Sequence, residues 1–326
     1  MSDLKHQVIK ANGIQMHIAE QGEGPLVLLC HGFPETWYSW RHQIPTLAEA
    51  GFRAIAPDLR GYGGTEQPEE SDQYTLLHLV GDMVGLLDAL DIKTAVIVGN
   101  DWGATLAWHA ALLRPDRFRG VIAFSVPMMG QLPVRPTQIF PQTEDALFYT
   151  LYFQSSGVAE AEFEHDVALT IRKILFAASG DAGPREENDG TPNPFGMVSR
   201  SNGLLASLPN PTSLPSWLTE ADLTVYSDAF TATGFCGGLN FYRNLDRNWE
   251  LLAPFSGMKV MIPALYMVGD RDVGLSILGM RQMISDLSSI VPKLSQTVVL
   301  PNCGHWIQQE SPHEVSSAII SFLRSL

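Results

Sequence analysis

Thr94-Ala95-Val96-Ile97-Val98-Gly99-Asn100-Asp101-Trp102-Gly103 passes from a short apolar, β-branched run into a turn flanked by glycines. The run predicts a buried strand of a parallel sheet, covered on both faces. The residues that follow, Ala104 to Leu113, predict a helix that ends before Pro115. A strand feeding a helix through so tight a turn needs glycine where side chains would clash. Asp101 stands at its tip. Two readings are open there: a carboxylate presented for chemistry, or an aspartate that caps the helix, a position Asp favours. A carboxylate has no proton to lose before it attacks, and it suits displacement at a saturated carbon.

Moving outward, Gln7 to Lys10 and Ile14 to Ile18 alternate in polarity around Asn12-Gly13, which predicts an antiparallel hairpin. Pro25 to Cys30 is continuously apolar and predicts a central strand. It runs into His31-Gly32-Phe33-Pro34. Ile44 to Ala50 predicts a helix with Pro45 in its first turn and Gly51 closing it. Arg53 to Asp58 is the next strand. Leu76, Leu79, Val80, Met83, Leu87 and Leu90 then recur at helical spacing behind Thr75 as cap. Gly120 to Val126 is a further strand. Alternating strands and helices point to a mostly parallel sheet with right-handed crossovers.

The alternation stops after Pro127. Residues 128–255 hold helical stretches, among them Val158 to Ala177, and a Gly/Pro/Asn/Ser-rich passage from Ser179 to Pro215 that reads as a long loop. The expectation is an α/β core of residues 1–127 and 256–326, interrupted by a helical cap of residues 128–255. In the second part, Ile262 to Val268 and Gln296 to Leu300 predict strands. Ser311 and Glu314 form a capping box before the last helix, with Pro312 at its first position.

The composition limits the function. The 326 residues are 45% hydrophobic and 17% charged, as expected for a globular protein with a large core. A net charge of −14 with no basic stripe argues against nucleic acid or an anionic membrane as partner. Three cysteines, Cys30, Cys236 and Cys303, in no C-x-x-C pair, suggest a reducing compartment and neither a disulfide framework nor zinc. No apolar run reaches about 18 residues, so the expected location is cytoplasmic. The state is expected to be a monomer or homodimer.

Gly99-x-Asp101-x-Gly103 resembles the nucleophile elbow of α/β-hydrolases, G-x-S-x-G, with Asp101 in place of serine. Such an elbow takes its acid and its histidine, in that order, from later in the chain. The two last strands run into Gly269-Asp270-Arg271-Asp272 and Asn302-Cys303-Gly304-His305-Trp306, at the carboxyl edge where such sheets bind ligands. His305 is the candidate base, since it alone of the nine histidines stands in the turn directly after the last strand. Asp272 is the candidate for orienting it, with Asp270 as the alternative. The Asp270-x-Asp272 pair also admits a metal reading, but no third ligand follows at EF-hand spacing. In α/β-hydrolases the residue after a His-Gly pair and the residue after the nucleophile supply oxyanion-hole N–H groups; here these are Phe33 and Trp102.

Several further stretches make the resemblance specific: Glu35-Thr36-Trp37-Tyr38-Ser39-Trp40-Arg41, Ala56-Pro57-Asp58-Leu59-Arg60-Gly61-Tyr62-Gly63, Leu151-Tyr152-Phe153-Gln154 and Leu239-Asn240-Phe241-Tyr242-Arg243-Asn244. Together with the elbow and the His-Gly-Phe-Pro turn they are similar to soluble-type epoxide hydrolases along nearly the whole chain. The resemblance implies an α/β-hydrolase fold with an inserted cap, a small-molecule epoxide as substrate, and no cofactor or metal. It implies that Tyr149 and Tyr242 hold the epoxide oxygen, with Tyr152 as the alternative to Tyr149, and that His31, Pro34, Trp37 and Trp306 line the substrate pocket. Asn100 departs from the histidine often found before the nucleophile in that family.

The nearest rival is a haloalkane dehalogenase, which shares the aspartate and the tryptophan beside it; Phe33 has no side-chain donor for halide. A receptor-type binding protein on the same scaffold is the other alternative. Asp101 excludes a serine esterase.

Overall fold

In the computed structural model, residues 3–184 and 193–326 are described. Among them the strands are β1 (Lys5–Ala11), β2 (Ile14–Gln21), β3 (Leu26–Cys30), β4 (Arg53–Pro57), β5 (Ala95–Asn100), β6 (Phe118–Phe124), β7 (Ala146–Phe148), β8 (Met197–Ser199), β9 (Ala264–Gly269) and β10 (Leu294–Leu300). Eight of them form one sheet in the order β1-β2-β4-β3-β5-β6-β9-β10. β1 and β2 pair antiparallel across Asn12-Gly13, and β2 is antiparallel to β4. Every other pairing in this sheet is parallel.

Successive residues of a strand point to opposite faces, and both faces here are covered. Leu28, Ile55, Ile97 and Val121 pack on one side, while Val27, Ala54, Val96 and Ile122 pack on the other. Helices α2 (Leu76–Ala89) and α3 (Trp102–Leu113) cover the first face. Helix α1 (Gln43–Glu49) and the terminal helix Pro312–Arg324 cover the second. That double cover explains why β3, β5 and β9 are apolar runs without alternation. The Thr75 side chain caps α2 by accepting the His78 N–H.

Between β6 and β9 no described residue joins the large sheet. Helices Tyr149–Tyr152, Val158–Phe163, Val167–Ala178, Glu220–Thr233, Cys236–Arg243 and Leu245–Leu252 dominate this part. Three local expectations are corrected here. The helix expected over Val158 to Ala177 is two, because the Asp166 side chain accepts the Leu169 N–H and starts a second one. The passage from Ser179 to Pro215 is not all loop: β8 pairs antiparallel with β7, a pairing that local periodicity does not reveal. Its residues 185–192 lie outside the described residues. Ser311 occupies the cap position but makes no capping bond, although Pro312 is the first helical residue as expected. Among the described residues no helix is long and apolar enough to cross a membrane.

Candidate active site

The elbow is built by close backbone approach. A Cβ on Gly99 would collide with the Gly103 carbonyl, and one on Gly103 with the Cys30 carbonyl. With those approaches enforced, Asp101 takes φ 54° and ψ −121° between β5 and α3, a left-handed φ that costs a non-glycine residue about 1–3 kcal/mol. Its side chain makes no capping bond. Instead, Oδ1 accepts the Phe33 N–H at 2.9 Å. The Trp102 N–H opens α3, where an N–H has no partner within the helix.

The turn carrying Phe33 is braced from behind. His31 is fully buried; its Nε2 accepts the Leu59 N–H at 3.0 Å and its Nδ1–H donates to the Gly32 carbonyl at 2.9 Å. That arrangement needs the neutral ring, and burial lowers its pKa accordingly. His31 thus shapes the turn, which corrects its expected place in the pocket lining. Pro34 is buried next to Phe33. Glu35 is buried too: Oε2 accepts the Gly32 N–H at 3.3 Å, and Oε1 accepts Gln308 and Gln309 side-chain N–H groups at 2.9 Å each. Burial pushes its carboxyl up to about 7, against the pull of the Gly32 N–H and His305.

His305 follows β10, and its Nδ1 lies 3.2 Å from both carboxylate oxygens of Asp272. Asp272 is 1% exposed, closes the turn after β9, and accepts the Gly274 N–H at 2.7 Å. Asp270 is exposed, and it is Asp272 that meets His305. Among the described residues the Nε2 of His305 has no hydrogen-bond partner, and it stands 3.4 Å from Asp101 Oδ2. Burial by itself lowers the pKa of this imidazole, but the charges of Asp272 and Asp101 and the hydrogen bond to Asp272 outweigh it and raise it to about 10. Burial pushes the Asp272 carboxyl the opposite way, yet His305, Ser125 and the Gly274 N–H hold it below its ordinary range.

Tyr149 and Tyr242 come from separate helices, and their rings meet at 5.8 Å between centroids. Burial, then the charge of Asp101, raises both phenol pKa values, so both stay protonated as donors. Among the described residues the buried Tyr242 hydroxyl has no hydrogen-bond partner. Tyr152 is engaged elsewhere, donating to Glu162 at 2.7 Å. Trp306 is fully buried, packs edge-on against His305 at 4.8 Å and donates its indole N–H to the Leu175 carbonyl. Trp37 packs on His6 and Tyr38 at the β1–β2 edge instead of beside Asp101.

Two neighbours of the site escaped the sequence reading. Phe195 lies 4.9 Å from the His305 ring. The half-buried Glu310 accepts, through its carboxylate, the N–H groups of Gly180, Gly304 and Trp306 at 2.8, 2.8 and 3.0 Å. Neither belongs to a motif, and each makes a contact across the chain, Phe195 to His305 and Glu310 to Gly180. Among the described residues no group of three or more His, Cys, Asp or Glu side chains is placed to hold a metal ion.

A family model described as alpha/beta hydrolase fold matches residues 25–312. Epoxide hydrolase A of Mycobacterium tuberculosis is 41% identical over 98% of this chain and 97% of its own. Epoxide hydrolase 2 of Siraitia grosvenorii is 42% identical over 99% of each. Among solved structures, epoxide hydrolase A of Mycobacterium thermoresistibile superposes with a TM-score of 0.90 at 41% identity, covering 99% of this chain and 98% of that one. An epoxide hydrolase from an endophytic Streptomyces reaches 0.92 at 42% identity, covering 98% and 95%.

Proposed function

Because this chain belongs to the epoxide hydrolases of the α/β-hydrolase fold, we propose that Asp101 opens the epoxide ring and that His305 releases the product. The reaction adds water to an epoxide and gives a vicinal diol. Oδ2 of Asp101 attacks one ring carbon, the C–O bond to the ring oxygen breaks, and an ester to Asp101 forms. The breaking bond leaves an alkoxide, which the Tyr149 and Tyr242 hydroxyls stabilise and protonate. A base is not needed for this step.

Ester formation removes the negative charge of Asp101, one of the two charges that hold the His305 proton. The imidazole then becomes a better base, oriented by Asp272. It takes a proton from a water molecule that attacks the carbonyl carbon of Asp101. The developing oxyanion is Oδ1, which the Phe33 N–H already holds at 2.9 Å, with the Trp102 N–H as second donor. Losing one such donor costs about 10²–10³ in rate. Collapse breaks the ester C–O bond; the carboxyl so formed gives its proton to the departing diol oxygen and becomes the Asp101 carboxylate again, and the proton on His305 goes back, through water, to the phenolate. Residues 128–255 act as the cap that brings the two phenols over the elbow.

The observation that carries this reading is the division of Asp101 between its two oxygens. Oδ1 is hydrogen-bonded to a backbone donor, while Oδ2 faces His305. The test is incubation with aryl and aliphatic epoxides and, separately, haloalkanes, with assays for diol and halide. Diol from epoxide is the expected result; halide release without diol, or neither product, overturns it.

A further inference from the structure

Four ring contacts run in series over Asp101. His305 meets Phe195 at 4.9 Å, Phe195 meets Tyr149 at 5.3 Å, Tyr149 meets Tyr242 at 5.8 Å, and Tyr242 meets Trp102 at 5.1 Å. The arc begins on the imidazole 3.4 Å from Asp101 and ends on the residue next to Asp101 in the chain. The two phenols occupy its middle. An epoxide whose oxygen is held there directs one carbon's substituent toward the His305 end and the other's toward the Trp102 end.

Phe195 is the one residue of this arc that the proposed reaction does not employ, and it is held by a dedicated tether. Its N–H donates to Asn193 Oδ1 at 2.7 Å. The Asn193 amide in turn donates to Ser276 Oγ at 2.9 Å and to the Val273 carbonyl at 3.2 Å. Both acceptors belong to the turn Val273–Ser276, which Asp272 itself opens. One asparagine therefore keys the position of Phe195 to the loop that positions the base. The ring is 5% exposed, so its face and edge are spent on His305, Tyr149 and the space between them.

Resting on the epoxide reading above, we propose that Phe195 is a specificity-determining residue. It walls the His305 end of the pocket and selects which carbon of an aryl-substituted epoxide meets Asp101. Asn193 is its positioning residue. An aryl group seated at that end makes an edge-to-face contact with Phe195, which favours attack at the carbon that places it there.

The experiment uses the full-length enzyme and each enantiomer of styrene oxide in ¹⁸O-water. After the first turnover, each Asp101 oxygen that enters the diol derives from solvent, so label marks the attacked carbon. Wild type, Phe195→Ala, Phe195→Leu, Asn193→Ala and the Phe195→Ala/Asn193→Ala double variant are compared. The ratio of benzylic to terminal labelling is expected to shift by about two- to tenfold in Phe195→Ala, the value of one aromatic contact. Asn193→Ala should shift it in the same direction, and the double variant no further than Phe195→Ala. Should Phe195→Ala not fold, Phe195→Leu keeps the volume and removes the ring, and its ratio decides. An unchanged ratio in the folded Phe195 variants, while wild type makes diol, overturns the proposal and leaves the reaction intact. Absence of diol from wild type overturns the underlying reading instead, and the proposal with it.

Discussion

The Nε2 of His305 and the Oδ2 of Asp101 stand 3.4 Å apart without a hydrogen bond between them. Among the described residues nothing else hydrogen-bonds to that nitrogen, while the other ring nitrogen is committed to Asp272 at 3.2 Å. In the proposed reaction this nitrogen acts on a water beside Asp101 and takes no part in the attack that precedes. Replacing His305 with Gln should therefore leave ring opening intact and stop ester hydrolysis. Intact-protein mass should rise by the whole mass of the epoxide, because no group departs when the ring opens, and peptide mapping should place the adduct at Asp101. An unmodified variant, under conditions where wild type turns over, would refute this division of labour.

The same pair makes the base sensitive to the nucleophile's charge. With both carboxylates charged, the His305 pKa is raised to about 10. A histidine raised in this way adds stability that is fully present below its unfolded value near 6.5 and is lost as pH climbs through about 10. In Asp101→Asn one of the two charges is gone. The imidazole should titrate at a lower pH than in wild type, read from ¹⁵N-histidine NMR, and the alkaline loss of stability should begin earlier. An imidazole titration unmoved by the substitution would show that Asp101 does not govern it.

Two phenols share one oxygen in the proposed transition state, so neither is indispensable. Tyr149→Phe and Tyr242→Phe should each retain partial activity, and the double variant should fall by about 10²–10⁴ in kcat/KM, the usual span for general acid catalysis. Tyr152→Phe should change turnover little, since its hydroxyl is bonded to Glu162. If all three single variants and the double behaved alike, the tyrosines would have no place in the mechanism.

Glu310 joins three backbone N–H groups on both sides of His305 and across to Gly180. Glu310→Ala leaves three buried donors without an acceptor, at about 1–3 kcal/mol each. The expected result is a large drop in the denaturation midpoint together with slower ester hydrolysis. A midpoint within error of wild type would show that water or a neighbour replaces the carboxylate at no cost.

Glu35 offers a test by pH. Its ordinary carboxyl value of 4.5 is raised to about 7 in the folded protein, with burial as the main cause. The folded state therefore holds this proton more tightly than the unfolded chain does. The contribution to stability is greatest below about 4.5 and declines as pH rises through about 7. Glu35→Gln removes the titration, so its urea midpoint should fall less than that of wild type between pH 5 and pH 7. Parallel profiles for the two proteins would contradict the raised value.

The elbow was legible because its causes are local. Gly99 and Gly103 exclude side chains where the strand and helix approach each other, and the apolar run before them reports burial on both faces. The order of Asp101, Asp272 and His305 was readable for a related reason: each follows a strand, and parallel strands deliver their C-terminal turns to one edge. Side-chain direction beyond those turns was not readable. Trp37 and Trp306 looked equivalent in sequence, yet one packs on the β1–β2 edge and the other behind His305. His31 stood in a motif suggestive of a pocket, but its ring turns inward to an N–H 28 residues away. The bond from Phe33 to Asp101 spans 68 residues, and the one from Gly180 to Glu310 spans 130. Periodicity and capping signals extend over a few residues. By itself the sequence therefore determined the candidate groups and the edge of the sheet where they emerge. Only tertiary packing decided which donor meets which acceptor, because those partners are chosen by close approach between segments with no local relation to one another.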